Sequence, residues 1–329
     1  MHGHQARPGQ PRKDVAAGKR FVETLATPRL LVIGGTGFIG HHLLAAVHKD
    51  WRVTSISLGP PSPLRFVDSV RYLQLDLTDA DAVKNSLSEE YEYVVNLSGY
   101  IDHSLFKSGG RRLINAHFDA LQNLVEVLPR DSLKRFVQIG SSDEYGNAPA
   151  PQHEGLREQP ISPYALGKVA STHFLQMLHR TEGFPAVILR LFLTYGPGQE
   201  DRRFLPQIIK GCLNDLEFPT SEGQQLRDFC YVHDTVRAIL LALKSTDADG
   251  HILNVASGTP VTIRAMVDEV SRIVGRGSPQ YGKVSYRPDE NMTLYADIQK
   301  AQDILNWTPE VSLSEGLKQT INWMMKAHA

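Results

Sequence analysis

The sequence predicts an α/β fold: a doubly wound parallel sheet with helices on both faces, carrying a smaller C-terminal domain. Three observations carry this expectation. Short apolar runs alternate with segments of helical period from Leu30 to about Leu243, the pattern by which crossovers build a parallel sheet. The first of these runs ends in a glycine-punctuated turn. From about Thr194 the alternation is interrupted by Pro- and Gly-rich stretches and returns briefly over residues 229–243, so the smaller domain is assembled from separated segments.

The first strand is Leu30-Leu31-Val32-Ile33. Gly34, Gly37 and Gly40 follow, and His41-His42-Leu43-Leu44 resumes at helical period. A strand that feeds a tight turn into a helix presents a helix N-terminus to a diphosphate. Gly34 allows the sharp turn, Gly37 lets the backbone approach a pyrophosphate, and Gly40 lets the helix pack on the sheet. A Rossmann-type dinucleotide site over Gly34, Gly37, Phe38, Ile39 and Gly40 is expected. The spacing Gly34-x-x-Gly37-x-x-Gly40 resembles that of extended short-chain dehydrogenases, the NAD-dependent epimerase/dehydratase family of nucleotide-sugar enzymes.

The second strand is read at residues 53–58. An Asp or Glu at its end would accept from the adenosine 2′-hydroxyl and repel a 2′-phosphate, yet Ser57 and Leu58 stand there. With Arg65, His41 and His42 as candidates to face a phosphate, NADP is favoured over NAD. The alternative is that Ser57 bonds the ribose and either cofactor serves. The third strand, at residues 70–79, ends in what resembles the family's D-[LV]-x-D element, which implies that Asp76 and Leu77 border the adenine. The fourth, at 93–99, runs into a small-residue turn; the resemblance places Leu97 and Ser98 against the nicotinamide side. Residues 117–126 resemble the family helix N-x-x-G-T-x-N-L-x-E, with His117, Ala120 and Leu121 departing from it.

The chemistry is read from a fifth strand and the helix after it. Residues 136–142 are an apolar strand ending in Ser141-Ser142, followed by Asp143-Glu144-Tyr145-Gly146; Pro163 opens a helix that carries Tyr164 and Lys168. Four residues apart, these two share a helical face. A tyrosine titrates near ~10 and is a poor acid-base at neutral pH unless a cation stabilises the phenolate. Lys168 is expected to lower that pKa and to bond the nicotinamide ribose. Tyr164 then exchanges a proton with the sugar, with Ser141 as second hydrogen-bond partner.

Residues 140–146 resemble the G-S-S-[DE]-E-Y-G of nucleotide-linked 4-keto-6-deoxyhexose reductases, because the dehydratase acid pair is displaced. Asp143 and Glu144 are read either as site acids or as solvated loop residues. Residues 190–199 resemble R-x-F-N-x-Y-G-P-x-Q, with Leu193 in the Asn position and Thr194 as its possible substitute. Residues 223–234 match G-x-Q-x-R-D-F-x-Y-V-x-D. A guanidinium suits a diphosphate, so Arg227 and Arg287 are the expected phosphate ligands. Ser142, Asp143, Thr194 and Phe204 complete the expected substrate contacts.

Composition bounds the remainder. The chain has 329 residues, a net charge of −1 and two cysteines, Cys212 and Cys230, far from any metal-ligand spacing. Neither nucleic acid nor a membrane is indicated as partner, no metal site is expected, and a reducing, cytoplasmic setting is the simple reading. The expected organisation is an extension at 1–27, a dinucleotide-binding domain at 28–188 plus 229–257, and a nucleotide-sugar-binding domain at 189–228 plus 258–329. The favoured activity is NAD(P)H-dependent reduction of a CDP- or GDP-linked 4-keto-6-deoxyhexose. The alternatives are a 4-epimerase or 4,6-dehydratase with tightly bound NAD, and a non-catalytic dinucleotide-binding protein. By resemblance, a homodimer is expected through the segments around Leu121 and Phe174.

Overall fold

The computed structural model describes Met1, residues 27–286 and residues 290–327. Nearly all of the expected 1–27 extension lies outside the described residues. The first part of the chain runs β1 (Arg29–Ile33), α1 (Phe38–Val47), β2 (Arg52–Ser57), β3 (Arg71–Gln74), α2 (Ala80–Ser86), β4 (Tyr93–Asn96), α3 (Gly110–His117), α4 (Asp119–Val127), β5 (Arg135–Ser141), α5 (Pro163–Glu182) and β6 (Ala186–Leu191). The rest runs β7 (Leu193–Tyr195), α6 (Phe204–Leu213), β8 (Glu217–Pro219), β9 (Leu226–Arg227), β10 (Phe229–Tyr231), α7 (Val232–Lys244), β11 (Ile252–Val255), β12 (Val261–Thr262), α8 (Ile263–Val274), β13 (Ser278–Gln280), β14 (Thr293–Leu294), α9 (Gln299–Leu305) and α10 (Leu313–Ala327).

Seven strands form the central sheet in the order β11-β6-β5-β4-β1-β2-β3, every pair parallel. From β1 the chain steps outward to β2 and β3, then returns to β4 on the other side. That reversal opens a crevice beyond the carboxyl ends of β1 and β4, where ligands of such sheets bind. The glycine turn after β1 and the Leu97–Ser98 turn after β4 stand at its two sides.

Alternation along β1 explains why both faces are covered. Leu30 and Val32 enter one core with Leu43, Leu44 and Val47 of α1 and Ile239 and Leu243 of α7. Leu31 and Ile33 enter the other, with Leu121 and Leu124 of α4 and Leu175 of α5. Strands buried on both faces read as continuous apolar runs. A third core joins α6, α8 and α10 through Ile209, Cys212, Met266, Val267, Leu317 and Ile321. Both cysteines are buried and free. Among the described residues no helix is long and apolar enough to cross a membrane.

Several elements depart from expectation. β6 runs to Leu191, past the expected domain edge at 188. Ala301, Leu305 and Trp307 pack into the core of the large sheet although they lie in the expected second domain. The helix expected over 117–126 is interrupted at Phe118, and the His117 carbonyl accepts from Ser171 Oγ at 3.1 Å. Leu121, expected to face a second copy, is fully buried against the sheet, with Phe174 packed on the same core.

Trp307 is the largest fully buried side chain, and its Nε1–H donates to the Asp234 carbonyl at 3.0 Å. Trp307→Ala is expected to cost about 3–5 kcal/mol of stability; urea denaturation with an unshifted midpoint would contradict it.

Candidate active site

The cradle for a dinucleotide is built from local backbone requirements. Gly34 has φ +78°, a left-handed conformation that favours glycine, and a Cβ there would sit 3.0 Å from the Leu97 carbonyl oxygen. The two loops at the sheet's switch point therefore touch. A Cβ at Gly40 would lie 2.3 Å from the Gly34 oxygen, so α1 packs on the turn only because Gly40 has no side chain. α1 starts after Gly37 with neither a side-chain cap nor an acid in its first turn. Its first amides, including those of Phe38 and Ile39, remain available to phosphate oxygens. The residues present fit a nicotinamide dinucleotide.

The adenosine end bears on the choice of cofactor. Ser57 Oγ accepts from the Thr36 amide at 3.3 Å, which ties the tip of β2 to the glycine turn. Asp76 is exposed and accepts from Thr78 N and Oγ1, while Leu77 is buried beside it. Arg65, expected to face a 2′-phosphate, is engaged elsewhere: it donates to the Thr36 carbonyl, to the Gly198 carbonyl at 2.7 Å and to Glu200 at 3.2 Å. His41 Nδ1 meets the Arg65 carbonyl. His42 Nε2 meets the Pro197 carbonyl at 2.8 Å, and burial pulls its pKa down to about 4, so it is neutral at pH 7. The cations on which the NADP expectation rested are thus occupied in bonds within the protein, between α1, the loop after β2 and the Pro197–Gly198 turn.

Ser141, Tyr164 and Lys168 converge at the tips of β5 and β4. Pro163 at the first helical position and the Ser162 side chain, which accepts from Ala165 N, fix the start of α5. This sets Tyr164 and Lys168 one turn apart, both buried. Lys168 Nζ donates to the Ile139 carbonyl at 2.9 Å and approaches the Ser98 carbonyl at 3.5 Å; burial lowers its pKa to about 8. The nearby Ser141 hydroxyl favours the ionised form of Tyr164, but burial first and the Asp143 carboxylate second push the phenol above its ordinary value. The expected acidification by Lys168 is not seen here: the ammonium is drawn onto backbone carbonyls, and the phenol is desolvated.

The two acids after Ser141 have opposite fates. Glu144 is fully buried: its carboxylate accepts from Ser141 N, Thr172 Oγ1 and Arg190 Nε, each at 2.9 Å. It is a structural acid rather than a solvated one. Asp143 is partly exposed, with its side chain 3.9 Å from His103 Nε2 and within electrostatic reach of Tyr164, Arg203 and Arg227. Ser142 is buried at the strand tip just before them.

On the substrate side, Arg227 is mostly buried and pairs with Glu290, and its charge acts on Asp143. Arg287 lies outside the described residues. Phe204 is exposed at the start of α6, whereas the neighbouring Leu205 is buried in the third core. Thr194 does not replace the missing Asn at Leu193. Successive strand residues face opposite sides; Leu193 is exposed, while Thr194 turns inward to meet Thr235 Oγ1 at 3.2 Å.

Three site residues escaped sequence reading in these roles. His117 is buried between Tyr164 (ring centroids 5.0 Å apart) and the Gly99 turn, and meets the Tyr100 carbonyl at 3.3 Å. His103, on the loop after β4, has its ring centroid 6.0 Å from that of Tyr164 and its Nε2 3.9 Å from Asp143 Oδ2. Arg203 stands at the start of α6 and acts electrostatically on both Tyr164 and Asp143. The departure at position 117 was the one available signal; a lone His and an Arg in loops carry none. Among the described residues no cluster of His, Cys, Asp and Glu could hold a metal ion.

Residues 30–256 match the NAD dependent epimerase/dehydratase family. The chain belongs to that family. A UDP-glucuronate 4-epimerase of Thermodesulfobacterium geofontis is 27% identical over 315 residues, covering 89% of this chain and 95% of the relative. A dTDP-glucose 4,6-dehydratase of Streptomyces niveus is 27% identical over 320 residues, covering 90% and 92%. Among solved structures, the Bacillus cereus UDP-glucuronic acid 4-epimerase in complex with UDP-glucuronic acid and NAD superposes with a TM-score of 0.82 at 27% identity, covering 91% of this chain and 99% of that one. The Thermotoga maritima UDP-glucose 4-epimerase with UDP-glucose gives a TM-score of 0.83 at 25% identity, covering 92% and 100%. The chain is therefore an epimerase/dehydratase family protein with a Rossmann-type α/β fold.

His117 also makes a prediction about stability. Burial pulls its pKa down to about 3, against about 6.5 when exposed. Between these values the unfolded chain binds the extra proton, so stability falls as pH drops from 6.5 to 3. His117→Asn should make that fall shallower. Denaturation midpoints measured across the window read the difference, and identical slopes would refute a buried neutral imidazole.

Proposed function

We propose that the protein is a nucleotide-sugar 4-epimerase that keeps NAD bound, oxidises C4 of the sugar and reduces it again on the other face. The observation that carries this reading is that, of the two carboxylates acting on Tyr164 among the described residues, Asp143 and Glu144, only Asp143 is not consumed by a buried arginine. Inverting C4 needs one acid-base at the C4 oxygen. Removing water across C5 and C6 needs a base for the C5 proton and an acid for the departing hydroxyl, and Glu144 is held by Arg190, Thr172 and Ser141. Asp143 favours 4,6-dehydration as the second reading, with that one carboxylate serving both steps.

When bound, NAD would supply a reversible hydride acceptor for C4. The chain supplies the rest. Gly34, Gly37 and the first turn of α1 receive the pyrophosphate; Ser57, Asp76 and Leu77 border the adenosine; Leu97, Ser98 and Lys168 border the nicotinamide. Tyr164 takes the C4 hydroxyl proton and returns it, and Ser141 holds the same oxygen. Lys168 is assigned to the nicotinamide ribose, and Arg203 is the cation that favours the ionised phenol. Arg227 and Arg287 are assigned to the diphosphate and Phe204 to the base.

This reading replaces net reduction of a 4-keto-6-deoxyhexose, because the relatives named above support hydride return, and it takes NAD in place of NADP because Arg65, His41 and His42 are occupied. UDP- and dTDP-sugars, the substrates in the names of those relatives, are favoured over CDP- and GDP-sugars. A homodimer is kept as part of the proposal, with Leu166 and Met177, exposed on α5, as its face. Sedimentation equilibrium showing only monomer would remove it.

The deciding experiment incubates the protein with UDP-, dTDP-, CDP- and GDP-linked hexoses and 4-keto-6-deoxyhexoses while following NADH and NADPH absorbance separately. A C4-inverted sugar without net absorbance change is expected. Loss of one water by mass selects the dehydratase, and stoichiometric NADPH oxidation overturns the proposal in favour of a reductase. Tyr164→Phe should lower kcat by about 10²–10⁴-fold with little change in KM; wild-type turnover in that variant would overturn the role given to Tyr164, and absence of turnover by the unmodified protein with every sugar would leave a non-catalytic dinucleotide-binding protein as the reading.

A further inference from the structure

His103 and Asp143 face each other across the mouth of the cleft. His103 is carried by the loop after β4 with its side chain 50% exposed, Asp143 follows β5 with its side chain 31% exposed, and Nε2 and Oδ2 are 3.9 Å apart. That separation is too long for a direct hydrogen bond, so each group keeps capacity toward a third. The His103 ring stands edge-on to Tyr164, at 72° between planes, which places the gap next to the group assigned to the C4 oxygen. The other charges acting on Asp143 are Glu144, Arg203 and Arg227. Glu144 is consumed by Arg190, and Arg227 pairs with Glu290. On the His103 side the adjacent Asp102 already accepts from Ser104 N and Oγ.

An imidazole N–H that donates beside a carboxylate that only accepts is the complement of one hydroxyl, which can accept from the first and donate to the second. A carboxylate in the same place would only accept and would be repelled by Asp143. A methyl group would satisfy neither side and leave both desolvated.

We propose that His103 and Asp143 together grip the C6 hydroxyl of the sugar, making His103 a specificity-determining residue that selects neutral hexoses over hexuronates and 6-deoxyhexoses. This rests on the nucleotide-sugar reading and deepens it by naming the substrate class. It sets the chain apart from the relatives named for glucuronate.

The test measures kcat and KM for UDP-glucose, UDP-glucuronate and UDP-6-deoxyglucose, and for the dTDP-linked series. The wild type is expected to prefer the glucose substrate by at least about tenfold in kcat/KM, the scale of one lost hydrogen bond. His103→Phe should erase the preference over the 6-deoxy sugar by raising KM for the glucose substrate, while His103→Gln, which keeps a donor, retains part of it. Asp143→Asn should raise glucuronate turnover relative to glucose. The two single losses against the 6-deoxy sugar should combine non-additively in the double variant. Equal use of glucose and glucuronate by the wild type, or an unchanged glucose to 6-deoxyglucose ratio in His103→Phe, overturns the inference while leaving the enzyme assignment intact. Absence of turnover with every nucleotide sugar overturns that assignment, and the grip with it.

Discussion

A buried ion pair between Glu144 and Arg190 holds the catalytic end of the sheet together. Both side chains are fully excluded from water, and the pair links the turn after β5 to β6, with Glu158 as a second acid on the same guanidinium at 2.6 Å. Burying charges is costly unless their hydrogen bonds are satisfied. Here Thr172 on α5 and the Ser141 amide take up the rest of the Glu144 carboxylate. Strand, turn, helix and neighbouring strand are thereby fixed at one point. With Glu144 turned in, Asp143 is turned out, and two adjacent acids acquire unrelated jobs.

The same region shows how a site is made from loops that carry little structure alone. The Leu97–Ser98 turn is set between Gly34, which it nearly touches, and the Lys168 ammonium, which reaches the Ser98 carbonyl. His117 fills the space below Gly99, where any side chain on the glycine would overlap its ring. The imidazole is kept neutral by burial and by the nearby Lys168 charge. It therefore packs against Tyr164 without adding a second cation to the site.

Polar contacts tie α1 and the loop after β2 to the Pro197–Gly198 turn. His42 reaches the Pro197 carbonyl, and Arg65 spans from Thr36 to Gly198 and Glu200. These bonds lock the turn after β7 to the cofactor helix. They also occupy the guanidinium expected to face a 2′-phosphate, since Arg65 is spent on Thr36, Gly198 and Glu200.

The glycine spacing after β1, the apolar strands, and the placement of Tyr164 and Lys168 on one face of a Pro-started helix were settled by the sequence alone, because each depends on residues within a few positions of one another. Backbone conformation, strand alternation and helical period are local properties. Which of Asp143 and Glu144 reaches the cleft was decided only by tertiary structure, since Arg190 lies 46 residues from its acid partner. The inward turn of Thr194, the diversion of Arg65 to residues more than a hundred positions away, the seating of Trp307 in the first domain and the approach of His103 to Asp143 have the same origin. Burial and charge pairing across the chain are set by which elements pack together, and a linear pattern does not contain that information.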